Sequence, residues 1–303
     1  MTSDQMALSG RRRIRRWVAV VLVAVPGVLA VVGPIVSDRS VHRGLSFSVD
    51  DGPLGTDFAG RDVLAEVLHG GAPIVMITLV ATVCAYVIAL PLGLVAAMSG
   101  RRFVDEVIMR PLDLLLAIPS LLLLILLATL SSPGMFTLVA IVVVILAPDA
   151  TRVVRAAALS PASSAAFEAM VLQNETWTRK VVEYVGRSIL RVILADSGVR
   201  FIGALYLVAS ASFLGVGVDP DAANWGVMVN QNKGGLMLQP AGTVVPAALI
   251  VSLAVGLNLL VDEVGLRSAD RATHRLKVPQ QPPGGAARPA GPSRRLRIDR
   301  TSR

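Results

Sequence analysis

Five long stretches of this chain carry no Asp, Glu, Lys or Arg: 17–37, 70–100, 114–148, 201–218 and 234–261. Roughly 20 apolar residues span a bilayer, so each stretch holds at least one candidate span. The stretch 114–148 is interrupted by Ser131-Ser132-Pro133-Gly134, a turn signal, and divides into two. Six spans follow, near 17–37, 74–98, 112–130, 135–151, 198–217 and 242–262. Only 17% of the residues are charged, against about 25% in soluble domains. The fold class is therefore an all-α polytopic membrane protein. A soluble enzyme, a disulfide-stapled secreted domain and a disordered chain are excluded. The first span follows a basic segment ending at Arg16. It is long for a signal-peptide core and ends without a clear small-x-small cleavage site, so it reads as a retained helix.

The chain carries a net charge of +8, and alternating the loops between two sides locates it. Of the 29 Lys and Arg, 25 fall on one side. Only Arg39, Arg43, Arg61 and Lys233 fall on the other. Asp and Glu divide 13 to 8 in the same sense, leaving +12 on one side and −4 on the other. The positive-inside rule makes the first side, with both termini, cytoplasmic. The basic balance thus reflects topology and anionic inner-leaflet lipid rather than nucleic acid. With 4% aromatics there is also no stacking platform for bases. Residues 1–16 read as a basic cytoplasmic N-terminus, 17–37 as the first helix, and 38–70 as an extracytoplasmic loop. Residues 71–265 read as a transmembrane core. Within it, 157–195 is a cytoplasmic segment and 218–240 a second exterior one. Residues 266–303 form a cytoplasmic tail whose Pro-, Gly- and Arg-rich end, 278–303, reads as disordered.

Catalytic chemistry is hard to place. Cys84 is the single cysteine, His42, His69 and His274 are scattered, and no zinc or haem motif occurs. None of Lys180, Lys233 and Lys277 sits in a phosphate-binding G-x-x-x-x-G-K-[ST] loop. The chain is not expected to be an enzyme, and any ATPase must be another chain. The spans carry almost no charge, which argues against an ion-coupled secondary transporter, a class that usually holds mid-membrane ionisable groups. A membrane-embedded enzyme would need clustered His, Asp or Cys, and none is visible.

Four segments carry a resemblance. The loop Pro53-Leu54-Gly55-Thr56-Asp57-Phe58-Ala59-Gly60-Arg61-Asp62-Val63-Leu64 is dense in turn formers, with Asp57 placed to cap a turn. The stretch from Asp105-Glu106 through Met109, Arg110 and Asp113 to Pro119 stands at the inner entrance of the third span. Arg152-Val153-Val154-Arg155, with Leu159-Ser160, opens the cytoplasmic segment. Ser212-Phe213-Leu214-Gly215-Val216-Gly217-Val218, with Pro220 and Asn224-Trp225-Gly226, ends the penultimate span. Together they resemble permeases of the peptide/nickel class of bacterial ABC importers, and in particular the second, dipeptide/oligopeptide "C"-type subunit. The similarity covers roughly 50–265.

That resemblance implies a type I ABC importer permease, a five-helix core plus an N-terminal helix, multi-pass in the bacterial cell membrane. It would form a heterodimer with a second permease, on one or two cytoplasmic ATPase subunits. An extracytoplasmic binding protein would deliver di- or oligopeptides, with nickel or another small solute as the alternative cargo. This chain itself would hold no cofactor, ATP and Mg being bound by the ATPase.

The resemblance also assigns residues. In this family a cytoplasmic coupling helix carries E-A-A, then Gly six residues after the Glu, then I-x-L-P. Here Glu168-Ala169 match, while Met170 and Asn174 replace the Ala and the Gly. Tyr184, Gly186 and Arg187 depart from the I-x-L-P positions. Phe167, Glu168, Ala169, Met170, Asn174 and Trp177 are the coupling candidates, and Asn tolerates the left-handed conformation that a Gly would supply. The alternative is an amphipathic helix lying on the membrane surface. Asp105, Glu106, Arg110, Asp113, Arg152 and Arg155 read as an inner-rim network, structural or gating. Gly55, Asp57, Gly60, Arg61, Asp62, Phe213, Gly215, Gly217 and Trp225 read as outer gate or docking loops, or as turns with Phe213 and Trp225 in the outer aromatic belt. Pro91 and Pro119 fall inside spans, as kinks or pathway lining.

Overall fold

The computed structural model describes residues 3–37 and 44–276, with side chains over 14–37 and 44–263. The expected tail 278–303, and Arg39 and Arg43 of the exterior loop, lie outside the described residues. Two compact units divide the chain, Met1–Gly265 and Leu266–Arg303. Within the described part of the second, the chain is helical to Leu276.

The first unit is a helical bundle. The described elements of the chain, in order, are α1 (Ser3–Val36), α2 (Val63–Met98), α3 (Arg102–Ala117), α4 (Ser120–Thr129), α5 (Met135–Ala162), α6 (Ala165–Leu172), a π-helical turn (Arg179–Gly186), α7 (Arg187–Leu214), α8 (Trp225–Asn232), a 3-10 turn (Lys233–Gly235) and α9 (Ala241–Leu276). No strand forms among the described residues, only an isolated bridge between Thr56 and Asp62. Among the described residues, five helices are long and apolar enough to cross a membrane. The third span, expected at 112–130, is not one helix. α3 and α4 meet at a 91° bend. Pro119 forces this: the residue before a proline avoids the helical region, and Ile118 is extended (φ −89°, ψ 128°). Pro119 is therefore a helix boundary rather than a kink, whereas Pro91 remains within α2.

The helices flanking the expected cytoplasmic segment run further than the charge-free stretches do. α5 continues to Ala162, and the helical span ending at Leu214 begins at Arg179. Only α6 and the turns around it stand apart from the spans.

The α2–α5 contact is the most extensive in the bundle. Ala81, Ala85, Ala89 and Gly93 repeat every fourth residue on α2 and are all buried. Small residues at this spacing let helix backbones approach without a hydrophobic driving force from water. A Cβ on Gly93 would sit 2.7 Å from Val154 and 2.9 Å from the Thr151 carbonyl of α5. The buried hydroxyls of Thr78, Thr82 and Thr151 donate to carbonyls one turn back, at 2.7, 2.8 and 2.7 Å, so none is left unpaired. Away from this seam, Met76, Val83 and Val87 are exposed, as a lipid-facing stripe requires.

Two apolar clusters result. The larger joins α2, α4, α5, α7, α8 and, through Leu253, α9. The smaller lies at the α6 end and gathers Tyr86, Ala89, Ala150, Val154, Ala158, Val185 and Ile189, with Phe167 and Tyr184 against it.

Candidate functional site

Three groups of residues carry the chemistry. The first is the segment around α6. Ser164 caps the helix, its hydroxyl accepting from the Phe167 N–H at 3.3 Å and lying 2.8 Å from the Tyr184 hydroxyl. Tyr184, at a position where the expected motif failed, thus braces the start of α6. Its ring lies 6.4 Å from that of Phe167. The helix ends in a Schellman motif: the Asn174 N–H bonds the Val171 carbonyl and the Glu175 N–H that of Met170, both at 3.1 Å. Asn174 has φ 53°, the left-handed conformation expected of it. α6 is thereby a short rigid peg, with Leu172 84% exposed and Val171 half exposed. Trp177 and Val182 are exposed beside it, while Val181, Val185 and Ile189 are buried. Arg179 pairs with Glu175, and with Glu183 at 3.6 Å. Glu168, Ala169 and Met170 lie within α6. Leu172, the most exposed apolar residue of the peg, has no place in the family motif and was not singled out from the sequence.

The second group is the rim between α3 and α5. Arg155 holds Asp105 bidentately at 2.5 and 2.6 Å. Arg152 holds Asp113, with its Nε at 3.1 Å. Glu106 pairs with Arg102 at 3.1 Å and Arg110 at 3.3 Å, each four residues away on α3. All six expected rim residues are brought together, across two helices.

Sequence reasoning missed what lies one turn deeper. Arg200 of α7 donates to Asp149 of α5 and, at 3.1 and 3.2 Å, to both oxygens of Asp196. Tyr86 of α2 donates to Asp196 at 2.5 Å. The reading that spans carry almost no charge is corrected here. Asp149 and Arg200 bound two of the charge-free stretches, but the helices continue through them.

The third group is at the opposite end. Asp57 is buried and accepts from the N–H groups of Ala59 and Arg61, both at 2.8 Å, and from Arg61 Nε at 2.8 Å. The Arg61 guanidinium also lies 5.4 Å from the Phe58 ring centre. Asp62 caps α2 through the Leu64 N–H at 2.9 Å. Gly55 (φ 68°) and Gly60 (φ 75°) take left-handed conformations pressed against the Ser48 and Gly44 carbonyls. This loop is tied to the segment before α9: Asn232 Oδ1 accepts from the Phe58 N–H at 2.9 Å, Gln239 donates to the Leu54 carbonyl, and Phe47 covers Gly235. Segments 44–62 and 225–239 therefore form one braced cap. Gly215 (φ 70°) closes α7 with a second Schellman motif, and Gly217 (φ 74°) follows.

Trp225 corrects the aromatic-belt reading. It is 0% exposed. Its indole donates to the Val67 carbonyl at 2.8 Å, and its ring lies on Gly70 and Gly71, where a Cβ would fall 2.8 and 2.5 Å away. Phe213 is half exposed, with Lys233 Nζ 5.6 Å from its ring centre. Among the described residues no group of three His, Cys, Asp or Glu could hold a metal ion.

Residues 89–264 match the family described as binding-protein-dependent transport system inner membrane component. The chain is 32% identical over 214 residues to a probable peptide ABC transporter permease protein, y4tQ, of Sinorhizobium fredii, covering 71% of this chain and 72% of that one. It is 30% identical to the di/tripeptide transport system permease protein DppC of Pseudomonas aeruginosa, covering 71% and 70%. It is 29% identical to the probable D,D-dipeptide transport system permease protein DdpC of Escherichia coli, covering 70% of each. In fold it is similar to the MetNI methionine ABC transporter in an inward-facing conformation. That match has a TM-score of 0.52 at 18% identity and covers 66% of this chain and 96% of the other.

Proposed function

Because the chain belongs to the binding-protein-dependent transport system inner membrane component family and is a permease subunit of an ABC importer, we propose that it moves di- or oligopeptides across the bacterial inner membrane, driven by ATP hydrolysed in a separate subunit. The peptide cargo is supported by three relatives whose names specify peptides, among them the di/tripeptide permease DppC. Family membership implies an ATPase and a binding protein as partners. A heterodimer with a second permease is our reading, as is the binding of ATP and Mg by the ATPase alone.

The observation that carries the mechanism is α6. A short helix, capped at both ends and braced by Tyr184, presents Val171 and Leu172 to the outside. A helix with an exposed apolar end fits a groove on a partner. The lower cluster joins this peg to α2, α5 and α7, so a push on α6 from a closing ATPase would tilt the inner halves of three helices together. The α6 end faces the cytoplasm in this account, supported by the 25-to-4 division of Lys and Arg. The braced cap of 44–62 and 225–239 then faces outward, where the binding protein would release its cargo.

The test is ATP hydrolysis by the complex reconstituted with its ATPases and binding protein. Stimulation by dipeptides and not by a nickel chelate is expected. Stimulation by the chelate alone would replace peptide as the cargo.

A further inference from the structure

Asp149, Arg200 and Asp196 take no part in the coupling or the outer cap, and only the Tyr86 ring belongs to the apolar cluster beneath α6. The four residues tie α5, α7 and α2 together. Their depth follows from helix geometry. At a rise of about 1.5 Å per residue, Asp149 lies about 21 Å along α5 from Met135, and Arg200 about 21 Å along α7 from Leu214. Within a hydrocarbon layer about 30 Å thick, both lie below the middle yet well inside. Charged groups at such depth face a bundle interior or water, because lipid cannot solvate them.

Arg200 is mostly buried, with 11% of its side chain exposed, but the Asp149 side chain is 50% exposed. Arg152 and Asp113, one turn nearer the α6 end, are half exposed as well. The face of α5 carrying these groups is therefore not one that lipid can cover.

Charge balance adds a second observation. Arg152 and Asp113 neutralise each other. The deeper cluster holds two carboxylates against one guanidinium, and Tyr86 donates to it as a neutral hydroxyl. Arg200 reaches only one oxygen of Asp149. Among the described residues the other has no donor.

We propose that this face of α5 borders the aqueous translocation pathway, and that Asp149 gives the pathway's inner half a negative potential that favours cationic groups, such as the free ammonium of a peptide. The proposal rests on the permease reading and assigns residues to its pathway.

The experiment uses the whole complex in vesicles, with Cys84→Ala as background. Val153→Cys places a thiol one turn from Asp149 on the same face, and Ala156→Cys provides a second position should the first fail to assemble. Each is reacted in the nucleotide-free state with a cationic and an anionic water-soluble methanethiosulfonate reagent, with rates normalised to a free thiol. Both reagents are expected to react, the cationic one about tenfold faster. Asp149→Asn is expected to bring that ratio close to unity. Failure of both thiols to react, as a dry interface or lipid contact would cause, overturns the pathway assignment. An unchanged ratio in Asp149→Asn overturns the role of Asp149. Peptide-stimulated ATP hydrolysis in the same vesicles reports separately on the permease reading.

Discussion

Single residues fix the two ends of this molecule. Trp225 plugs the cap end, filling the space that Gly70 and Gly71 leave open and satisfying its own N–H on Val67. Trp225→Ala removes a fully buried indole and should cost about 3–5 kcal/mol, read as a large fall in thermal stability of the purified subunit. Gly71→Val should be comparably disruptive, since its Cβ would also meet the Ala30 backbone at 3.0 Å. At the other end Asn174 closes α6 with a positive φ. Asn174→Gly should keep the peg and ATPase assembly intact, whereas Asn174→Val places a β-branched residue in a conformation costing about 1–2 kcal/mol and should weaken co-purification of the ATPase. The two cases differ in what a sequence can disclose. Left-handed tolerance belongs to the Asn side chain itself, so the bend at 174 was legible. The environment of Trp225 is set by two glycines far away in the chain. A tryptophan at the end of a span looks the same from sequence whether it faces headgroups or a glycine seat.

Elements show the same division. The helical spans were legible because apolar length alone demands them. Their continuation to Ala162 and back to Arg179 was not, since charge-free counting stops at Asp149 and Arg200 while backbone hydrogen bonding does not. The bend at Pro119 was signalled by the proline, but its 91° size depends on how α4 packs against α5 and α7. The rim pairs between α3 and α5 follow from residue type and side. Asp105→Arg should break the bidentate pair with Arg155 and lower peptide-stimulated hydrolysis, with only about 1 kcal/mol lost in stability because the pair is partly solvated. The double variant Asp105→Arg with Arg155→Asp should recover activity if the pair itself matters, measured as stimulated hydrolysis of the reconstituted complex. On α6, Leu172→Asp removes an apolar group worth about 1.5–3 kcal/mol when buried at an interface, which corresponds to about a ten- to hundredfold weaker association. It should reduce ATPase co-purification accordingly without lowering the yield of the permease, since Leu172 is solvent-exposed in the isolated chain.

At the scale of the whole molecule, one bundle joins a braced cap to the α6 peg through a seam of small residues. The charge asymmetry of +12 against −4 predicts that the α6 end faces the cytoplasm. The matching test of topology fuses reporters to both termini and after Gly60, and expects the termini on the cytoplasmic side and the Gly60 reporter outside. In the proposed mechanism energy enters at α6 and cargo enters at the cap. This mechanism is tested most directly by uptake of a labelled dipeptide into proteoliposomes that hold the complete complex, with binding protein outside and ATP inside. The account predicts accumulation above the external concentration that requires ATP and is lost in Leu172→Asp. Accumulation without ATP, under an ion gradient alone, or undiminished in Leu172→Asp, would contradict it.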